Sequence, residues 1–150
     1  MAPVDVETTS VINRPREVVA AYASDPDNVT QWYANITSVE WETPRPVAVG
    51  TRVAFVAHLL GRRLAYTYEV LDLVPGRRLV MSTVDGPFPM ETTYTWHEAA
   101  DGATLMCLRN RGRPSGFSAI LGPFLAAAMR RANRKDLVAL KAILETEEPA

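Results

Sequence analysis

The sequence predicts an α+β fold in which a curved antiparallel sheet of about seven strands wraps round one long C-terminal helix. Three observations carry that prediction. Val4 to Ile12 alternates, with Val4, Val6, Thr8, Ser10 and Ile12 on one face, as in a half-buried strand. From Ile36 onward, turn signals recur at Pro44 to Gly50, Gly61-Arg62, Pro75-Gly76, Gly86-Pro87 and Asp101-Gly102, which is the spacing of successive antiparallel strands. The period then becomes helical from Phe124 to Leu144, with Met129, Asn133, Leu137, Leu140 and Leu144 along one stripe.

Between the first strand and the rest lie two short helices. Asn13-Arg-Pro15 starts one, with Asn13 as a cap and Val18, Val19 and Tyr22 on its apolar side. Asp25-Pro26 opens the other, which ends around Trp32-Tyr33. Gly61-Arg62 as a type II′ turn sets Ala57 opposite Tyr66, Phe55 opposite Tyr68 and Val53 opposite Val70. A two-residue connection at Pro75-Gly76 sets Val70 opposite Met81 and Tyr68 opposite Thr83. Asp101-Gly102 as a type I′ turn sets Trp96 opposite Cys107 and Tyr94 opposite Arg109. Side chains alternate, so these registers collect the large residues on one inner face. Arg52, His58, Arg63, Thr67, Glu69, Ser82, Glu91, Thr93, Thr95 and His97 fall on the outer, solvated face. Pro123 begins the long helix, a shorter helical piece around Phe117 to Leu121 precedes it, and about 31 Å of helix covers the inner face.

At 150 residues the chain is expected to form one domain, residues 1–150. It is 47% hydrophobic and 22% charged with a net charge of −1, which suits a soluble globular protein and gives no overall pull toward nucleic acid. One cysteine, Cys107, excludes an intrachain disulfide. The N-terminus lacks the basic and apolar regions of a signal peptide, and Ala119 to Met129 is too short to span a bilayer, so a cytoplasmic location without a membrane span is expected. Few apolar residues fall on the outer face, which favours a monomer or a modest homodimer.

Most site chemistries are absent. The two histidines, His58 and His97, are far apart and no HExxH or CxxC occurs, so no metal and no cofactor is expected. The hairpin register puts Cys107 inward, away from His97, as a small buried hydrophobe. There is no GxSxG elbow and no phosphate-cradling glycine pattern. Arg130, Arg131, Arg134 and Lys135 read as a solvated helix face, since Asp136, Glu145, Glu147 and Glu148 share the segment. Asp72 has inner parity but sits at a strand end, where exposure is expected. Arg109 points inward beside Tyr94 in this register. Three readings stand: stacked on Tyr94 or paired with a carboxylate, snorkelling to water at a cavity mouth, or anchoring an anionic ligand group.

The inner face is rich in aromatics with polar tips. Trp32, Tyr33, Phe55, Tyr66, Tyr68, Met81, Met90, Tyr94 and Trp96 gather there, with Arg109 and, at the start of the long helix, Phe124. A sealed core favours Leu, Ile and Val, whereas each buried Tyr hydroxyl needs a partner. The set therefore fits either a core or the lining of a pocket with apolar walls and a few polar contacts.

The element order β-α-α-β6-α resembles the helix-grip fold of the START-like (SRPBCC) superfamily, in particular its bacterial polyketide cyclase/dehydrase-type branch. The resemblance covers essentially the whole chain. Its carriers are Ile12-Asn-Arg-Pro-Arg-Glu-Val18, Asp25-Pro26 through Trp32, Val49-Gly50-Thr51, and Tyr68-Glu-Val70 before Pro75-Gly-Arg-Arg-Leu79. Asp101-Gly102 and the final Leu137-Val-Ala-Leu-Lys-Ala-Ile-Leu-Glu145 complete them. The resemblance implies a cavity between sheet and long helix for an apolar or amphipathic molecule, and fold alone does not choose a reaction. The expected function is binding of a small hydrophobic or aromatic ligand, lipid-, polyketide- or isoprenoid-like. A cofactor-free cyclase/dehydratase on the same pocket is the alternative, and a ligand-free interaction domain is a third class.

Overall fold

The strand β1 (Val4–Ile12) pairs not with its neighbour in sequence but with the last strand of the chain. The computed structural model describes residues 4–59, 61–86, 88–113 and 122–146. After β1 come helix α1 (Arg16–Ser24), a 3₁₀ turn (Pro26–Asn28) and the single-turn helix α2 (Val29–Trp32). They carry the chain from one sheet edge to the other. From there β2 (Ile36–Trp41), β3 (Arg52–Leu59), β4 (Arg62–Val74), β5 (Arg78–Asp85), β6 (Met90–Glu98) and β7 (Thr104–Gly112) meander back until β7 meets β1. The sheet order is β1-β7-β6-β5-β4-β3-β2, antiparallel throughout. Helix α3 (Gly122–Thr146) lies across its inner face, so the predicted helix-grip architecture is what the chain adopts.

Three turns decide which residues face inward. At β3–β4 the partners are Phe55 with Tyr66 and Val53 with Tyr68, a two-residue offset from the sequence expectation. An even offset leaves each side chain on its expected face. At β4–β5 the expected pairs Val70–Met81 and Tyr68–Thr83 are present. They arise differently, because the connection holds three residues, and a bulge between Val70 and Asp72 restores the register. That bulge also leaves Asp72 free to pair with Arg78 at 2.7 Å.

The β6–β7 turn is where the expectation fails. Asp101-Gly102 does not form a two-residue type I′ turn; it sits in a 3₁₀ turn (Ala100–Gly102) with Asp101 at φ 58° and Gly102 at φ 76°. Trp96 therefore faces Met106 and Tyr94 faces Leu108. A one-residue shift turns the whole of β7 over. Thr104, Met106, Leu108 and Asn110 point inward, while Cys107 and Arg109 point outward. Cys107 thus shares the outer face with His97 rather than opposing it.

The two ends of α3 pack differently. At its C-terminal end Leu137, Leu140 and Leu144 are buried among Ile12, Trp96, Met106 and Leu108. The Arg14 Nη1 donates to the carbonyl of Leu144 at 2.6 Å, and Lys141 Nζ to that of Val11 at 2.7 Å, tying this end to the end of β1. A cation on the last carbonyls also suits the helix dipole. Nearer its start, Leu125 and Met129 pack with Val4, Val6, Phe88 and Met90 in a separate cluster. Between the two clusters the helix spans a hollow. Among the described residues no helix is long and apolar enough to cross a membrane. The short helical piece expected around 117–121 lies outside the described residues.

Candidate functional site: a cavity beneath the long helix

The hollow under the middle of α3 has a volume of about 120 Å³. Its sheet side is built by Phe55 and Ala57 of β3, Leu64, Tyr66 and Tyr68 of β4, Met90 of β6 and Asn110 of β7. The α2–β2 link contributes Tyr33 and Asn35, the start of β2 contributes Ile36, and Phe88 lines the hollow as well. Met129, Ala132, Asn133 and Asp136 of α3 form the roof, three of them at the i, i+4, i+7 spacing of one helix face. Deeper in, a second hollow of about 80 Å³ is lined by Val29, Met81, Thr92 and Tyr94. Tyr33, Ile36, Phe55, Tyr68 and Asn110 line both hollows and so stand between them.

The sheet places these rings by alternation. Tyr66 and Tyr68 alternate along β4, so their rings stand side by side on one face, while Tyr94 on β6 packs against Trp32 and Trp96. Tyr68 meets Phe55 edge-on at 5.8 Å and Tyr66 at 6.0 Å, while Tyr66 is edge-on to Phe88 at 6.3 Å. Such geometry adds modestly to the burial of each ring.

Polar atoms in the wall are few and mostly satisfied. The Tyr33 and Tyr94 hydroxyls share a hydrogen bond of 2.7 Å. Thr92 Oγ1 donates to Asn110 Oδ1 at 2.7 Å. The Tyr68 hydroxyl lies 3.4 Å from that same Oγ1, whose one hydrogen is already given to Asn110, so across this long contact Tyr68 is the donor and Thr92 the acceptor. The backbone N–H of Ala34 donates to Asp136 Oδ1 at 3.0 Å. Asn133 Nδ2 is buried without a partner among the described residues.

Burial dominates the electrostatics. It pushes the Tyr66 hydroxyl up to about 12 and strongly raises those of Tyr33, Tyr68 and Tyr94, so all four stay neutral near pH 7. Burial also raises the Asp136 carboxyl to about 6, against the lowering effects of the Ala34 N–H and Lys135. Asp136 is the acid in this wall able to change charge near neutral pH.

Of the residues singled out in the sequence, Tyr33, Phe55, Tyr66, Tyr68 and Met90 line the larger hollow, and Met81 and Tyr94 the deeper one. Trp32 and Trp96 stand behind the walls. Trp32 stacks at 4.3 Å on Tyr33, and Trp96 sits edge-on to Tyr94 at 6.1 Å. Phe124 is 68% exposed and faces away. The inward placement of Arg109 is corrected: it lies on the outer face, where Nε and Nη2 grip the Asp5 carboxylate at 2.9 and 2.7 Å. Of its three readings, the pairing with a carboxylate holds, on the outer face, whereas snorkelling at a cavity mouth and anchoring a ligand group do not. Asp136 is corrected too, since it is buried at 2% exposure rather than solvated with its basic neighbours.

Asn35, Asn110, Asn133 and Asp136 in the larger hollow, and Thr92 in the deeper one, are polar wall residues that sequence reasoning missed as site residues. Asn133 gave a signal, as the one polar member of an otherwise apolar helix stripe. The cavity meets an open groove at Asn35 and Ala132, bordered by Arg131 and Lys135. The groove lies near Tyr33, which also lines the cavity, and Phe88 in the cavity wall is buried.

Solved structures share this architecture. A protein from Thermus thermophilus superposes with a TM-score of 0.82 at 18% identity, over 95% of this chain and 99% of its own. A START superfamily protein from Mycobacterium smegmatis gives 0.81 at 14% identity, over 94% and 97%. The Zhui aromatase/cyclase from a Streptomyces species, R1128, gives 0.80 at 18% identity, over 96% and 94%. At such identities the likeness concerns the fold. Compared by sequence with proteins of curated function, the chain finds no match. The family model described as polyketide cyclase/dehydrase and lipid transport matches residues 3–145. With nearly its whole length matched and its helix gripped by this sheet, the chain belongs to the polyketide cyclase/dehydrase and lipid transport family.

Proposed function

We propose that this protein binds a small hydrophobic or aromatic molecule in the hollow between the sheet and α3. The observation that carries this reading is the pair of adjoining hollows, about 120 and 80 Å³, walled by Phe55, Tyr66, Tyr68, Met81 and Met90. An apolar cavity of roughly 150 Å³ accepts a benzene ring, so a single-ring compound fits the larger hollow, about 120 Å³, with a small shift of the side chains around it. A longer lipid-, polyketide- or isoprenoid-like chain would need both. Burying about 200 Å² of apolar ligand surface would contribute about 5 kcal/mol before the costs of ordering. Native mass spectrometry of the protein isolated from its own host tests the reading. A co-purifying apolar compound is expected; bare protein that also takes up no added aromatic would overturn it.

A second reading, a cofactor-free cyclase or dehydratase, is favoured by Asp136. A carboxyl titrating near 6 inside an apolar cavity suits proton transfer at carbon or oxygen. Tyr68, whose hydroxyl stays neutral near pH 7, would polarise a carbonyl by turning its proton from the long Thr92 contact to the ligand. Tyr68→Phe separates the readings: a binder loses under about threefold in affinity, whereas a catalyst loses turnover with binding retained.

A further inference from the structure

Asn133 interrupts the buried stripe of α3 between Met129 and Leu137. Only 4% of it is exposed, it lines the larger hollow, and its Nδ2 has no hydrogen-bond partner among the described residues. A leucine would continue the stripe without the penalty of a buried, unpaired amide. Asparagine at this point is explained if its partner is supplied from the cavity. Asp136, three residues on, lines the same wall, with Oδ1 held by the Ala34 N–H. Any ligand atom that reaches Asn133 therefore lies near a carboxyl group.

We propose that Asn133 selects the ligand of this cavity by donating from Nδ2 to a neutral oxygen, a ketone or hydroxyl, carried on the buried end of an aromatic molecule. This rests on the cavity-binding reading above and adds the ligand's chemistry and orientation. A carboxylate in the same place would meet Asp136, which is largely ionised at pH 7.5, and like charges at close range in an apolar site repel strongly. A hydroxyl fits as well as a ketone, since it accepts from Asn133 and donates to Asp136. An anionic group, if the ligand has one, belongs at the other end, where the open groove is bordered by Arg131 and Lys135.

The test uses three probes of nearly equal shape at pH 7.5: acetophenone, α-methylstyrene, in which CH₂ replaces the ketone oxygen, and benzoate. Binding is followed by NMR titration of the intact chain. In the wild-type protein acetophenone is expected to bind about tenfold tighter than α-methylstyrene, with benzoate weakest. The Asn133 side-chain amide protons should move downfield with acetophenone by more than the ring-current shift that α-methylstyrene also produces. In Asn133→Leu the preference should collapse to about onefold, with α-methylstyrene binding retained; Asn133→Ala serves if the leucine variant folds poorly. If both neutral probes bind and their ratio is the same in wild type and variants, cavity binding stands and the role of Asn133 is overturned. A resident water satisfying the amide would give that result. If no probe binds the wild-type protein, the cavity reading fails and this inference fails with it.

Discussion

The hydroxyl of Tyr33, at the end of α2, lies 2.7 Å from the hydroxyl of Tyr94 in the middle of β6. This bond ties the α2–β2 link to the sheet across the deeper hollow. Removing one hydroxyl leaves the other buried without a partner, so Tyr33→Phe and Tyr94→Phe are each expected to cost about 1–2 kcal/mol. The double variant should cost less than the sum, because no orphan remains. Urea unfolding of the four proteins in the cycle checks this; strictly additive costs would mean that the hydroxyls do not depend on each other.

Asp136 makes stability depend on pH. Its carboxyl holds its proton up to about 6 in the folded chain, against 3.8 in the unfolded one. The folded state thus binds the proton more tightly, and stability falls as pH rises from about 4 to about 6, then levels. The full effect corresponds to about 3 kcal/mol at most. Asp136→Asn keeps an acceptor for the Ala34 N–H and removes the titration. It should raise the melting temperature at pH 7.5 and make little difference at pH 4. Equal shifts at both values would rule out the burial of this charge as the cause.

Gly86 holds its place because of Tyr66. A Cβ at Gly86 would lie 2.7 Å from Cδ1 of the Tyr66 ring, and φ is +155°. Gly86→Ala is expected to displace that ring and to destabilise the fold by about 1–3 kcal/mol. Adding Tyr66→Leu should recover part of the loss. A thermal melt of single and double variants decides the matter, and a destabilisation indifferent to residue 66 would locate the strain in the backbone instead.

Arg109 grips Asp5 from the outer face and makes no contact with the cavity. Arg109→Ala should leave aromatic-ligand affinity unchanged and lower thermal stability slightly, the more so at low salt. A marked loss of ligand affinity in this variant would contradict the placement of β7.

The sequence made the element order legible because hydrophobic period and turn residues act locally. Two of the three hairpin registers came out with the correct faces, one through an even offset and one because a three-residue turn and a bulge offset each other. The third failed on one residue. An Asp-Gly pair serves in a two-residue turn or in a longer loop with both residues at positive φ, and nothing local separates the two. That slip exchanged Arg109 for Asn110 in the cavity wall. Asp136 was illegible for another reason: its burial comes from the α2–β2 link packing over α3, a contact distant in sequence.

Phe55, Tyr33 and Tyr68 are the partition between the two hollows, and each is a side chain on a fixed backbone. The capacity of the interior is therefore governed by a handful of torsions rather than by strand geometry. Side-chain rotamers change without breaking a ladder hydrogen bond, so the space offered to a ligand is adjustable while the sheet stays intact.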